Sequence, residues 1–276
     1  MKRVLMLLLT ICILCGNSFV SNAEGVLDEN LQKSTDLVTM KPTKKTYVCY
    51  STDKVFTPNK KVKKEAKKIY KKMKAKKQIK IKYKDTDKNT EFWDKVYNYL
   101  NTKYFPYEHI NYKDSYVEGD YMIDIIGKNE YKRLKKMNKQ ISNTADNLIK
   151  ELGIDKTTTK VEAIVRINEW MRQNCSYAFY MDEYNPCTNY HMLMYKEGIC
   201  QDYSYTVKIL CDKLGIKCGV VSDIELSHAY NVCIIDGTKY YVDTTWNKSN
   251  NDWLLLTEEE ILARGRRIDE IEWYLY

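Results

Sequence analysis

Apolar residues along this chain recur at helical spacing in some stretches and alternate in others, and each change of period marks an element. Val62, Ala66, Ile69 and Met73 fall at i, i+4, i+7 and i+11, one apolar stripe on a helix otherwise covered with lysine. Ile79, Ile81 and Tyr83 then alternate with lysines, as in a half-buried strand. Phe92, Val96, Tyr99 and Leu100 mark a second helix. Met122-Ile123-Asp124-Ile125-Ile126 reads as a strand ended by Gly127, and residues 132–152 as a helix with Gly153 as its C′ residue. Thr159-Lys160-Val161-Glu162 reads as a capping box. It opens a helix to residue 174 that buries Ile164, Val165, Ile167 and Met171. Residues 177–197, rich in Tyr and Asn and holding Pro186, read as a loop. A helix then starts at Cys200, buries Tyr203, Val207, Leu210 and Leu214, and stops at Gly215. Residues 231–235 and 239–242 read as strands joined at Asp236-Gly237, a type I′ turn signal.

Helices and strands in this order predict an α+β chain. Residues 24–60 form an extended lead-in and linker. Residues 61–152 hold the Lys-rich helix and a small α/β unit. Residues 153–276 form a second domain. Ahead of them, Lys2 and Arg3 precede an apolar run over residues 4–15, too short to span a bilayer comfortably, and Ser21-Asn22-Ala23 fits a cleavage site. Residues 1–23 therefore predict an export signal; an anchor helix that stays attached is the alternative. Neither Cys12 nor Cys15 follows the small residue that lipoprotein processing requires. Removal of the signal predicts a protein that is secreted or held at the cell surface.

Charge changes the picture in one place. Residues 41–84 carry 18 lysines against Asp53 and Glu65, whereas residues 85–276 are net acidic. Such a local excess fits adhesion to anionic wall polymers or lipid headgroups. It equally fits a surface helix that docks its stripe and solvates its lysines. No nucleic acid partner is expected, because export argues against it and the aromatic residues do not interleave with the lysines as a base-stacking platform would require. Beyond the signal the cysteines are Cys49, Cys175, Cys187, Cys200, Cys211, Cys218 and Cys233. Six paired cysteines plus one reactive thiol is one reading; small buried apolar residues is the other. With no CxxC, no HExxH and three histidines, no metal site is expected.

The chemistry concentrates on Cys200, His228 and Asp243. A thiol at a helix N-terminus meets unpaired N–H groups and the positive end of the macrodipole, which lower its pKa. The same N–H groups are donors for an oxyanion. A two-residue turn at Asp236-Gly237 makes opposed residue numbers sum to a constant, so His228 faces Thr245 and Tyr230 faces Asp243. His228, Tyr230 and Asp243 then share one face, with His228 and Asp243 as diagonal neighbours. A three-residue loop would put them on opposite faces.

Three blocks, Glu197-Gly198-Ile199-Cys200-Gln201-Asp202-Tyr203-Ser204, Ser227-His228-Ala229-Tyr230-Asn231 and Tyr240-Tyr241-Val242-Asp243-Thr244-Thr245-Trp246, resemble the signature blocks of the transglutaminase-like superfamily as found in exported bacterial proteins. The resemblance covers roughly residues 155–260. It implies a papain-like core, a cysteine helix packed on an antiparallel sheet, with residues 153–276 as the catalytic domain. By that similarity Cys200 is the nucleophile, His228 the general base and acid, and Asp243 the orienting carboxylate, with no cofactor. Two positions depart from the family's pattern: Asp202, where a small residue is usual, and Tyr230, often Trp. Tyr and Asn residues of the 184–195 stretch are candidates for a further oxyanion donor. His191 reads as a structural or rim residue and Trp246 as core beside the hairpin. His109 has no role.

The reaction so implied is acyl transfer. Cys200 attacks an amide carbonyl, an amine leaves, and water or a lysine amine resolves the thioester. Hydrolysis of a protein or peptide substrate is favoured over glutamine crosslinking. A catalytically inactive, envelope-binding module is the rival.

Overall fold

In the computed structural model, the structure describes residues 27, 29–42, 47–48, 55–75, 79–82, 87–107, 115–118, 121–124, 130–178, 189–247 and 251–273. The export signal, Cys49, Tyr83, His109, Ile125 to Gly127, and the Cys187 end of the predicted loop lie outside these residues. Two compact units divide the chain: residues 44–143 with 272–276, and residues 1–43 with 144–271.

In the first of these, helix α1 (Lys60–Lys74) starts where Asn59 Oδ1 accepts the Val62 N–H at 3.0 Å. Its buried residues are Val62, Ala66, Ile69 and Met73, the stripe that the spacing predicts. They pack with Ile79 and Ile81 of strand β1 (Ile79–Lys82) and with Val96 and Leu100 of helix α2 (Asp87–Tyr104). Strands β2 (Ser115–Glu118) and β3 (Tyr121–Asp124) complete an antiparallel sheet in the order β1-β3-β2. The Tyr70 and Tyr104 rings stack at 3.9 Å. The division between the units falls within helix α3 (Glu130–Glu151).

The second unit is built around one helix. Helix α4 (Lys160–Asn174) carries the predicted capping box: Glu162 N–H donates to Thr159 Oγ1 at 3.2 Å, and Thr159 N–H to Glu162 Oε2 at 2.8 Å. Helix α5 (Asn189–Tyr195) lies inside the stretch expected to be loop. That expectation is corrected: buried Met192 and Leu193 anchor a helix too short to show a full apolar period. Helix α6 (Cys200–Leu214) packs against α4, α5 and strands β4 (Lys217–Asp223) and β5 (His228–Ile235). Strand β6 (Thr238–Val242) follows the tight turn. A short helix α7 (Glu258–Ala263) precedes strand β7 (Glu270–Glu272). The sheet order is β6-β5-β4-β7, with β6–β5 and β5–β4 antiparallel.

The stripe of α6, Tyr203, Val207, Leu210 and Leu214, is fully buried. Burying each such side chain stabilises the fold by about 1.5–3 kcal/mol. Burial does not stop at the stripe: Ser204, Thr206, Lys208 and Asp212 are buried as well. Asn231 of β5 ties this helix to the sheet, donating to Ser204 O at 2.9 Å and Gly219 O at 3.2 Å. Gly215 ends α6 at φ +75°, and a Cβ there would lie 2.0 Å from Thr39 Oγ1. The lead-in makes that approach, with Thr39 N–H and Met40 N–H both donating to Leu214 O and Val38 N–H to Thr158 O.

Candidate active site

Each arm of the site is set by local structure. Ile199 precedes α6 in extended backbone, and its N–H donates to Asp202 Oδ2 at 3.0 Å. Asp202 thus takes up the N–H of the N-cap residue, and its carboxylate sits against the residue directly before Cys200. Gly198 is required at its position: a Cβ would lie 2.8 Å from both Asp202 Cβ and Met192 Cε. The missing side chain at this position accommodates that of Asp202. On the hairpin, Thr238 opposes Ile235 and Val242 opposes Asn231, the register of a two-residue turn.

That register brings the three sequence-predicted residues together. His228 Nε2 lies 2.8 Å from Asp243 Oδ2. The same imidazole shares a hydrogen bond with the Cys200 thiol. Cys200 is 7% exposed. Burial pushes its thiol pKa up, but the His228 hydrogen bond, the Ala229 backbone N–H, the imidazolium charge and the Gln201 backbone N–H outweigh it. The net shift is downward. Burial would lower the His228 pKa, yet hydrogen bonds to Asp243 and Cys200 and their charges raise it to about 9. The two shifts agree in direction: both favour a thiolate facing an imidazolium near neutral pH.

Asp243 is fully buried and its carboxylate is engaged on several sides. Trp246 N–H donates to Oδ1 at 3.3 Å. Arg266 donates to Oδ2 through Nε at 3.3 Å and Nη2 at 3.2 Å. The Arg266 guanidinium sits 4.3 Å from the Trp246 ring and 4.4 Å from the Trp253 ring, which hold it in place. Sequence reasoning missed Arg266. No local period points to it, and only the pairing of residues 23 apart makes it a partner of Asp243. It missed equally the amide relay behind the turn, where Asn247 donates to Asn168 and Asn168 to Asn251.

Two expectations for the rim resolve differently. His191 Nδ1 lies 2.8 Å from Glu197 O, so it braces the backbone before Gly198, as a structural residue does. Trp246, expected in the core, is 54% exposed. Its packing surface is Arg266, Trp253 and the edge of His228, with ring centroids 6.2 Å from the histidine. That contact set covers one side of the indole and leaves the rest to solvent. Cys200, Cys211, Cys218 and Cys233 are buried thiols outside any disulfide, which favours the buried-residue reading over six paired cysteines for those four.

Residues 146–252 match the family model of the transglutaminase-like superfamily. No curated protein sequence matches the chain. A solved structure described as a candidate cysteine protease from Cytophaga hutchinsonii is 17% identical, with 49% of this chain and 43% of that one covered and a TM-score of 0.36. Another, described as a TGase, is 16% identical, with 62% and 51% covered and a TM-score of 0.34. The chain thus spans about half the length of these solved proteins. The resemblance of the three sequence blocks is borne out as a match to the transglutaminase-like superfamily model over residues 146–252.

Proposed function

We propose that this domain is a thiol-dependent acyl-transfer enzyme acting on peptide or amide bonds, with hydrolysis favoured over transamidation. The observation that carries the proposal is the chain of contacts from Cys200 through His228 to Asp243. In the proposed cycle the Cys200 thiolate attacks the carbonyl carbon, and the carbonyl π pair moves onto oxygen. The N–H groups at the start of α6 are the donors for that oxyanion. His228 gives a ring proton to the leaving amine, and a thioester on Cys200 remains. Water then attacks the thioester, losing its proton to His228, and the acid and thiolate are regenerated. Asp243 holds the imidazole through Nε2 throughout, and Arg266 positions Asp243.

A paired assay tests this reading. Peptide cleavage and amine incorporation are measured side by side on wild type and Cys200→Ala. Cleavage that disappears in the variant supports hydrolysis; incorporation alone moves the assignment to transamidation; neither in the wild type favours an inactive binding module.

A second reading concerns the Lys-rich segment and rests on α1. Its exposed face carries Lys63, Lys64, Lys67 and Lys71. A cavity of about 380 Å³ beside it is lined by Lys61, Lys68, Lys72 and Lys82, by Glu65, which pairs with Lys68, and by Trp93. This supports adhesion of the unit to an anionic wall or membrane surface, in keeping with a secreted or cell-surface protein. Replacing the four exposed lysines with Gln should reduce retention on anionic vesicles, with added salt having the same effect. Retention indifferent to salt would remove the electrostatic argument.

A further inference from the structure

Three cysteines that take no part in this chemistry converge in the core behind it. Cys211 belongs to α6, Cys218 to β4 and Cys233 to β5, and the last two are direct cross-strand partners. Their sulfurs all lie within 4.8 Å of one another, and all three residues are 0% exposed. A disulfide would join two sulfurs at about 2.05 Å and leave the third over. Thiolates bound to one ion at about 2.3 Å, at tetrahedral or trigonal angles, sit about 3.8–4.0 Å apart. The observed set lies within about an ångström of that spacing.

The surroundings suit anionic sulfur. Asn231 Nδ2 donates to Cys218 Sγ at 3.6 Å. Lys208, itself fully buried, places its ammonium 2.7 Å from the Cys218 carbonyl oxygen, with Asp212 farther off at 3.3 Å.

We propose that Cys211, Cys218 and Cys233 together bind one thiophilic d10 metal ion in a closed three-sulfur site. Zn2+ and Cu+ are the ions of that chemistry. Each thiol releases its proton to solvent as its sulfur–metal bond forms, with no change of oxidation state. Because none of the three is exposed, the ion enters as the chain folds. Once bound, it ties the helix that begins at Cys200 to the strand that begins at His228, and touches neither residue.

The test uses the full chain, refolded under reducing conditions with one equivalent of Zn2+ or, in a second arm, of Cu+. Native mass spectrometry should show one retained ion per chain in at least one arm, and the melting temperature should rise in that arm. X-ray absorption of the retained ion in the wild type should give three sulfur neighbours at about 2.3 Å. Cys211→Ser and Cys233→Ser should lose the ion, while Cys175→Ser and Cys200→Ala keep it. No retained ion in either arm, two or fewer sulfur neighbours, or an ion that survives Cys233→Ser would overturn the proposal. The absorption measurement needs no variant, so a mutant that fails to fold leaves the test standing. Retention in Cys200→Ala separates this result from the acyl-transfer reading.

Discussion

Two helices of fifteen residues, α1 and α6, show what one periodic pattern can become. In α1 the buried residues are the four of its apolar stripe, and the lysines face water. In α6 twelve residues are buried, among them Lys208 and Asp212. The first is a surface helix whose polar face is available to a partner. The second is a central helix, enclosed by β4 and β5 on one side and α4 and α5 on others. Central placement is what makes Cys200 useful. It fixes the helix start rigidly and surrounds a thiol with few, oriented donors. A thiol on α1 would meet solvent and lysines, with no base aimed at it.

The largest contrast is in chemistry. Cys200→Ala should lower peptide or amide turnover by about 10^3-fold or more, while Lys64→Gln on the exposed face of α1 should leave kcat/KM unchanged. Equal losses in both would break the distinction between the helices.

Stability should separate them next. Lys208→Met leaves the buried Asp212 carboxylate without its ion-pair partner, and should cost about 3 kcal/mol in urea unfolding. On α1, Lys68→Met removes only the solvent-screened contact with Glu65, and should change stability by about 0.5 kcal/mol or less. A smaller effect at Lys208 than at Lys68 would mean that α6 is not enclosed.

Arg266→Met should come below Cys200→Ala in its effect on turnover, at roughly tenfold. The sign of its pH effect is specific. Removing a cation beside Asp243 strengthens the carboxylate's pull on the His228 proton, so the alkaline limb of the rate profile, expected near 9 in the wild type, should move upward in the variant. A merely structural role would lower the rate and leave that limb where it was. Arg266→Lys should restore part of the limb's position. The smallest effect is at a cap: Thr159→Ala should cost about 1 kcal/mol and leave the profile untouched.

These residues also divide by how they could be read from the chain. The α1 stripe, the Thr159 capping box and the hairpin register all depend on residues a few positions apart, so their spacing in the sequence predicts them. The His228–Asp243 contact follows from that register. Arg266 does not, because its link to Asp243 depends on where the chain after α7 returns to the sheet. The burial of Lys208 and the relay of Asn168, Asn247 and Asn251 are likewise products of tertiary packing. Trp246 was misplaced for the same reason: an indole after a strand reads as core until its neighbours are known. Helix α5 went unseen because seven residues give too little periodicity.

The central claim is a thiolate held by an imidazolium, and alkylation of Cys200 across pH tests it most directly. The account predicts a midpoint below the free-thiol value of about 8.5 in the wild type and a return towards that value in His228→Ala. A wild-type midpoint at or above the free value, unmoved by His228→Ala, would contradict it.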